Sequence, residues 1–250
     1  MPVHYARRLT GRDRSAAANQ QLGCVLAFVA GAANAGGFLA VKQYTSHMTG
    51  IVSAMADDLV LGNLNLVLGG IGALLSFVLG AACSAVMINF ARRRQLHSEY
   101  AMPLLLESGL LLGFGLLGAQ LSQMQGLFVP ATVMLLCFIM GLQNAVITKI
   151  SQADVRTTHL TGMVTDIGIE IGKLIYWNRN IDSALPAVRA NRTRLRVLGA
   201  LVAFFCFGAI MGAWGFKHLG YIATVPLALL LVLVASVPAM DDLASLKTRS

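Results

Sequence analysis

Charge is what this 250-residue chain has least of: Asp, Glu, Lys and Arg together make up 12% of it, against about 25% in a soluble domain. A water-soluble globule is therefore excluded. Acidic residues are the scarcest, 11 against 19 basic ones for a formal net charge of +8. In a chain so poor in charge, the basic excess bears on topology, and no nucleic-acid partner is expected. Cysteine is also scarce. Cys24, Cys83, Cys137 and Cys206 each sit inside an apolar stretch, without metal-ligand spacing or a polar loop to present a disulfide, and so count as small hydrophobes. No metal and no cofactor is expected. The chain has no Gly-x-Ser-x-Gly elbow, no His-Glu-x-x-His, no Walker motif and no redox ligand set, so an enzyme is not expected either.

What is present is apolar length. The hydrophobic share is 56% and the mean hydropathy +0.70. Crossing the hydrocarbon core takes about 20 apolar helical residues, and windows 22–41, 64–90, 103–121, 127–148, 196–216 and 219–238 meet that length. With both termini in the cytoplasm, Lys42 and Lys217 alone face outside, leaving 17 of the 19 basic residues inside, as an even number of spans requires. The first window, led by Arg7 to Arg14 and holding small Ala33 and Ala35, also fits a cleavable signal peptide. An internal duplication decides for a retained span.

Three segments recur in order. Phe28-Val-Ala-Gly31-Ala-Ala-Asn34-Ala35 matches Phe138-Ile-Met-Gly141-Leu-Gln-Asn144-Ala145 at four of eight positions, offset 110. Thr45-Ser-His47-Met-Thr49-Gly50-Ile-Val52 matches Thr157-Thr-His159-Leu-Thr161-Gly162-Met-Val164 at five of eight, offset 112. Phe77, Gly80, Ala81 and Ala85 match Phe205, Gly208, Ala209 and Ala213, offset 128. The expected fold is thus an all-α membrane protein of six transmembrane helices arranged as two inverted three-helix repeats, because an odd number of spans per copy turns the second one over. The repeats occupy 22–121 and 127–238, flanked by cytoplasmic tails 1–21 and 239–250. Segments 46–62 and 158–175 are too polar for simple spans and are expected to form half-helices or broken helices lining protein or water.

At these residues the chain resembles the YoaK family of bacterial multi-pass membrane proteins, from about Gln21 to Val237. The most specific stretches are Gly31 to Phe38, His47-Met-Thr49-Gly50, Gly141-Leu-Gln143-Asn144-Ala145, and Arg156 to Gly168 with its His159-Leu-Thr161-Gly162 core. Asn34 and Ile51 depart from the Asp and Asn associated with the family there. The resemblance implies a bacterial inner-membrane location and a transport role without an assigned substrate.

Candidate site residues follow from polarity inside apolar surroundings. Asn34 and Asn144 bond helix to helix or present their amides to a solute. His47 with Thr49 and Gly50, and His159 with Thr161 and Gly162, either bind an anionic group at a half-helix N-terminus, Thr serving as the cap, or merely seal that half-helix. Asp58 aligns with Glu170, and Asp166, Glu170 and Lys173 share one helical face. Buried, that face would raise one carboxyl pKa and suit proton coupling; exposed, it is an amphipathic surface. Glu107 is expected to snorkel or to pair with Arg92, Arg93 or Arg94. Gly80-x-x-x-Ser84 and Gly208-x-x-x-Gly212 are packing patterns. The expected function is secondary transport of a small solute or ion in the lipid bilayer, with protons as a candidate coupling ion. A channel of the same architecture and a structural or regulatory membrane protein stand as alternatives, and a homo-oligomer is compatible with each.

Overall fold

The computed structural model describes residues 16–96, 98–121, 128–150, 160–177 and 187–247. Those residues form helices and the turns between them. In chain order these are α1 (Ala16–Val41), α2 (Met48–Val60), α3 (Leu64–Arg93), α4 (Ala101–Leu121), α5 (Phe128–Ile150), α6 (Leu160–Ile175), α7 (Arg192–Leu219), a 3-10 turn (Gly220–Ala223) and α8 (Thr224–Lys247).

Local chemistry sets the boundaries. Proline stands third in α4 (Pro103), α5 (Pro130) and α8 (Pro226), where its missing N–H has no intrahelical partner to lose. Gly220, at φ 61°, breaks α7 from the turn that follows. The last apolar segment therefore begins its α-helix at Thr224 rather than at 219. α8 also runs on to Lys247 and α1 begins at Ala16, each absorbing part of a segment expected as a tail.

Among the described residues, four stretches are long and apolar enough to cross a membrane: Ala17–Val41, Leu64–Arg93, Pro130–Lys149, and the 45-residue Arg192–Ser236, which holds α7 and just over half of α8. Ala101–Leu116 is a shorter apolar helix. Leu75, Val78, Leu79 and Val86 of α3 and Phe204, Phe207, Ile210 and Trp214 of α7 are exposed. Such apolar faces suit lipid and not water. The chain is built as a multi-pass membrane protein. At 13 and 16 residues, α2 and α6 reach only about 20 Å and about 24 Å at 1.5 Å per residue, short of the roughly 30 Å hydrocarbon core. α2 begins one residue after His47 of its Thr-x-His-x-Thr-Gly segment.

The principal packings are α1 on α7, α3 on α5 and α4 on α8. Glycine makes the first two close. A Cβ at Gly31 would collide with the backbone carbonyl of Phe205, and one at Gly208 with that of Phe28. In the other pair, Gly141 lies against the carbonyl of Phe77 and Gly80 against that of Phe138. Gly212, of the expected packing pattern, likewise meets the backbone of Ala32. α2 packs through Met48, Ile51 and Met55 on Val41, Ala73, Phe77, Val133 and Cys137. α6 packs through Leu160, Met163 and Ile167 on Cys24, Ala27, Ala30, Leu198, Leu201 and Phe205.

Candidate functional site

The turn after α1 is built around Asn34. Its Oδ1 accepts from the Ser46 N–H (3.3 Å) and the Ser46 hydroxyl (2.9 Å), tying residues 42–47 back against the helix they leave. Lys42 turns the chain there at φ 57°, its N–H bonded to the Phe38 carbonyl at 2.7 Å. The Asn34 amide oxygen thus has a structural partner. Asn34→Ala should loosen this turn at a cost of about 1 kcal/mol, read as faster amide exchange over residues 43–47 with α3 unchanged.

His47, not Thr49, occupies the N-cap position of α2, and it makes no side-chain capping bond. Thr49 is an exposed residue inside the helix. Gly50 serves the histidine directly: a Cβ there would come within 2.6 Å of His47 Nδ1. The His-x-Thr-Gly spacing therefore makes room for an imidazole over the first turn.

That imidazole faces a cavity of about 550 Å³. His47, Gly50 and Asp58 line it together with Lys42, Asn65 and Tyr44, and Pro130 and Val133 of α5 close one side. Three site residues of the first half thus meet in one space, bounded in part by the second half. Asn34 and Thr49 are not among its lining residues. Lys42 and Asn65 were missed in the sequence. Asn65 sits at the start of α3 and carries no matched-segment signal, whereas Lys42, as one of two basic residues outside the main cluster, could have been found by its charge alone. The opposite charges of Lys42 and Asp58, with His47 between types, suit a small polar solute that offers both a donor and an acceptor.

The carboxylates are committed to partners at the neighbouring helix starts. Asp58 Oδ1 accepts from Asn63 Nδ2 at 3.1 Å, and Asn63 is the N-cap of α3. Glu170 Oε2 accepts from the Asn191 N–H at 2.6 Å, and Asn191 is the N-cap of α7. Glu170 Oε1 also takes the Lys173 ammonium at 2.8 Å, while Asp166 pairs with Arg194 at 3.0 Å. The expected repulsion between Asp166 and Glu170 is offset by separate cations. The Lys173 ammonium first, and the Asn191 N–H second, hold the Glu170 carboxyl below the usual range, opposite to the rise expected for proton coupling.

A lowered folded-state pKa stabilises the α6–α7 junction fully above the ordinary glutamate value of about 4.3, and that contribution is lost as pH falls through the lowered value. Amide exchange over α6, corrected for its intrinsic pH dependence and compared with α3 as a distant control, reads this. Acid should weaken protection in α6 alone, and Glu170→Gln should weaken it at every pH.

Thr161 and Gly162 lie exposed in the first turn of α6, the Thr161 carbonyl accepting from the Thr165 hydroxyl at 2.8 Å. Asn144 lies half-buried in α5, its carbonyl accepting from the Thr148 hydroxyl at 2.8 Å. His159 lies outside the described residues. Among the described residues no group of three or more His, Cys, Asp or Glu is arranged to hold a metal ion.

Gln143 and Glu107 are buried polar residues that stand apart from the cavity. Gln143, in the middle of α5 and 0% exposed, donates from Nε2 to the Leu26 carbonyl of α1 at 3.2 Å, while its Oε1 is buried without a partner. Glu107 neither snorkels nor meets an arginine: it is 0% exposed, and neither carboxyl oxygen has a hydrogen-bond partner. Arg92 pairs instead with Glu99 at 3.0 Å and donates to the Tyr100 hydroxyl at 2.6 Å.

The family model described as "Protein of unknown function (DUF1275)" matches residues 22–237. No curated protein and no solved structure matches the chain.

Proposed function

Since the chain belongs to the DUF1275 family, whose description assigns no activity, we propose a function from its own geometry: secondary transport of a small polar solute by two inverted three-helix repeats. The observation that carries this is the reciprocity of the glycine crossings. Gly31 against Phe205 and Gly141 against Phe77 are one contact made twice, and so are Gly208 against Phe28 and Gly80 against Phe138. Each partner is related to its counterpart by the sequence offsets 110 and 128.

The smaller elements support the same reading. Met48, Ile51, Met55, Ala73, Phe77 and Cys137 around α2 correspond to Leu160, Met163, Ile167, Leu201, Phe205 and Ala27 around α6. Asp58 meets Asn63 and Glu170 meets Asn191 at corresponding positions, the first through the asparagine side-chain amide and the second through its backbone N–H. α2 gathers at the end of α1 that holds Val41, and α6 at the half that holds Cys24 and Ala27. An inverted pair needs such opposite placement, and alternating access follows when the two halves exchange shapes. The His47 cavity is then the entrance from one side, with His159 the matching residue for the other. Both termini are cytoplasmic in this reading, in a bacterial inner membrane.

Uptake and efflux in sealed vesicles, across a panel of small solutes with and without a proton gradient, test the transport reading. Saturable flux lost in His47→Ala and His159→Ala at unchanged expression is the expected result. Non-saturating flux indifferent to the gradient means a channel, and no flux with any solute leaves a structural or regulatory protein. Topology has its own test. An impermeant maleimide applied to intact cells should label Ala54→Cys, in the cavity, and reach Trp177→Cys, exposed beyond α6, only after permeabilisation. Labelling of both from one side sinks the inverted scheme.

A further inference from the structure

Asp58, Asp166 and Glu170 all have polar or cationic partners; Glu107, deep in the bundle, has none. It lies about 9 Å along α4 from Ala101, at 1.5 Å per residue. We propose that Glu107 is held as the neutral acid inside the membrane and is the proton-binding site of the transport cycle. The link to a cycle rests on the transport reading above; residence of the proton on Glu107 does not.

The surroundings leave the neutral acid as the workable form. Leu104 and Leu111, a turn to either side of Glu107 on α4, belong to one apolar cluster with Ile139, Met140, Val146 and Ile147 of α5 and Leu227, Ala228 and Leu231 of α8. α1 contributes Leu22, Leu26 and Val29. None of these side chains titrates. Of the charged groups on the elements packed against α4, Arg92 of α3, engaged with Glu99 and Tyr100, and Lys149 of α5, whose carbonyl accepts from the Tyr100 hydroxyl at 3.5 Å, lie towards its start. Cys137 of α5 and Tyr221 of the 3-10 turn lie towards the other end, packed with Ile51 and with Phe114 respectively. The neighbouring Ser108 is already committed to the Ala228 carbonyl at 3.0 Å.

An ionised carboxylate here would have neither a donor nor a cation, and such burial is strongly disfavoured. A protonated carboxyl removes the charge and adds one O–H donor. The same core also holds a buried acceptor short of a donor, Gln143 Oε1, on the α5 face between Met140 and Val146. If packing were the only requirement, a leucine would serve better. An acid at this depth is the residue type that loads and releases a proton. The step balances simply: a carboxylate opened to water on one side takes up one proton to become the neutral acid, and later returns that proton to water on the other side.

Infrared spectroscopy of the protein in proteoliposomes, without any solute, tests this. At neutral pH the wild type should show a carbonyl-stretch band of a protonated carboxyl that is absent in Glu107→Gln, shifted in Glu107→Asp, and displaced on transfer to deuterium oxide as the proton exchanges. Because the glutamine is isosteric, its folding is checked by gel filtration, and the aspartate variant assigns the band independently if it fails. No such band, or one that never exchanges, overturns the proposal even where vesicle uptake responds to a gradient. An exchanging band in a protein that moves no solute overturns the transport reading and leaves the proton site standing.

Discussion

Gly208→Ile should yield no folded protein, and Gly80→Ile should fail in the same way. At both positions the first side-chain atom would meet a backbone carbonyl of the facing helix, Phe28 for Gly208 and Phe138 for Gly80. A flexible side chain can yield to such an intrusion; a helix backbone cannot without separating the pair along its length. Overpacking by a methyl or methylene typically costs about 1–3 kcal/mol, which alanine should approach. Isoleucine adds branched bulk at the same point and should consume the 5–15 kcal/mol that usually holds a protein folded. Loss of the monodisperse peak on detergent gel filtration is the readout, with Gly109→Ala and Gly113→Ala, where a Cβ meets nothing within 4 Å, as unaffected controls. Coupling makes the test sharper. Gly31 and Gly208 share one crossing, so Gly31→Ala with Gly208→Ala should cost less than the two separately, while Gly31→Ala with Gly80→Ala should add. A fully folded Gly208→Ile protein would show that the α1–α7 contact is not close.

Those glycines were legible in the sequence as repeat matches, and Gly80 and Gly208 also as close-packing patterns, but the helix that each one faces was not. Hydropathy located the apolar helices to within about four residues, save at the start of α1 and at both ends of α8, because length and apolarity are properties of a segment alone. Where it slipped, at the start of α8, Gly220 and Pro226 were local signals that could have corrected it. The polar residues were harder, since what they do depends on which helix lies opposite. Asp58 and Glu170 matched each other in sequence, yet their role in holding the caps Asn63 and Asn191 required knowing that α2 and α6 fold back on the helices they precede. Asn63 and Asn191 are themselves 128 residues apart, so extending the third match upstream would have supplied the pairing. Glu107 was misjudged for a different reason. Its nearness in sequence to three arginines suggested an ion pair, but its place on the buried face of α4 is fixed by packing on α5 and α8, which no local pattern reports.

Gln143 gives the clearest way to separate function from packing at this core. Gln143→Met keeps the volume and removes both the buried amide oxygen that lacks a partner and the 3.2 Å bond to the Leu26 carbonyl. The bond lost is worth about 0.6 kcal/mol on the average for membrane helices, and a carbonyl within α1 has its own helical bond to fall back on. The unpaired oxygen removed relieves about 1–3 kcal/mol. The variant should therefore be as stable as the wild type or more so, by up to about 2 kcal/mol, or roughly 4–8 °C at the scaling of about 2–4 °C per kcal/mol for chains of 150–250 residues. Transport should nonetheless be abolished, because the α1–α5 contact loses the bond from Gln143 to the Leu26 carbonyl. The repeat sharpens this expectation: the counterpart of Gln143 is Ala33, so the amide is not demanded by the packing that the two halves share. Thermal denaturation in detergent beside vesicle flux reads both quantities on one preparation. A variant that is less stable yet still transports would make Gln143 an interhelical tie and nothing more, whereas stability kept and flux lost identify an amide retained at a cost to the fold.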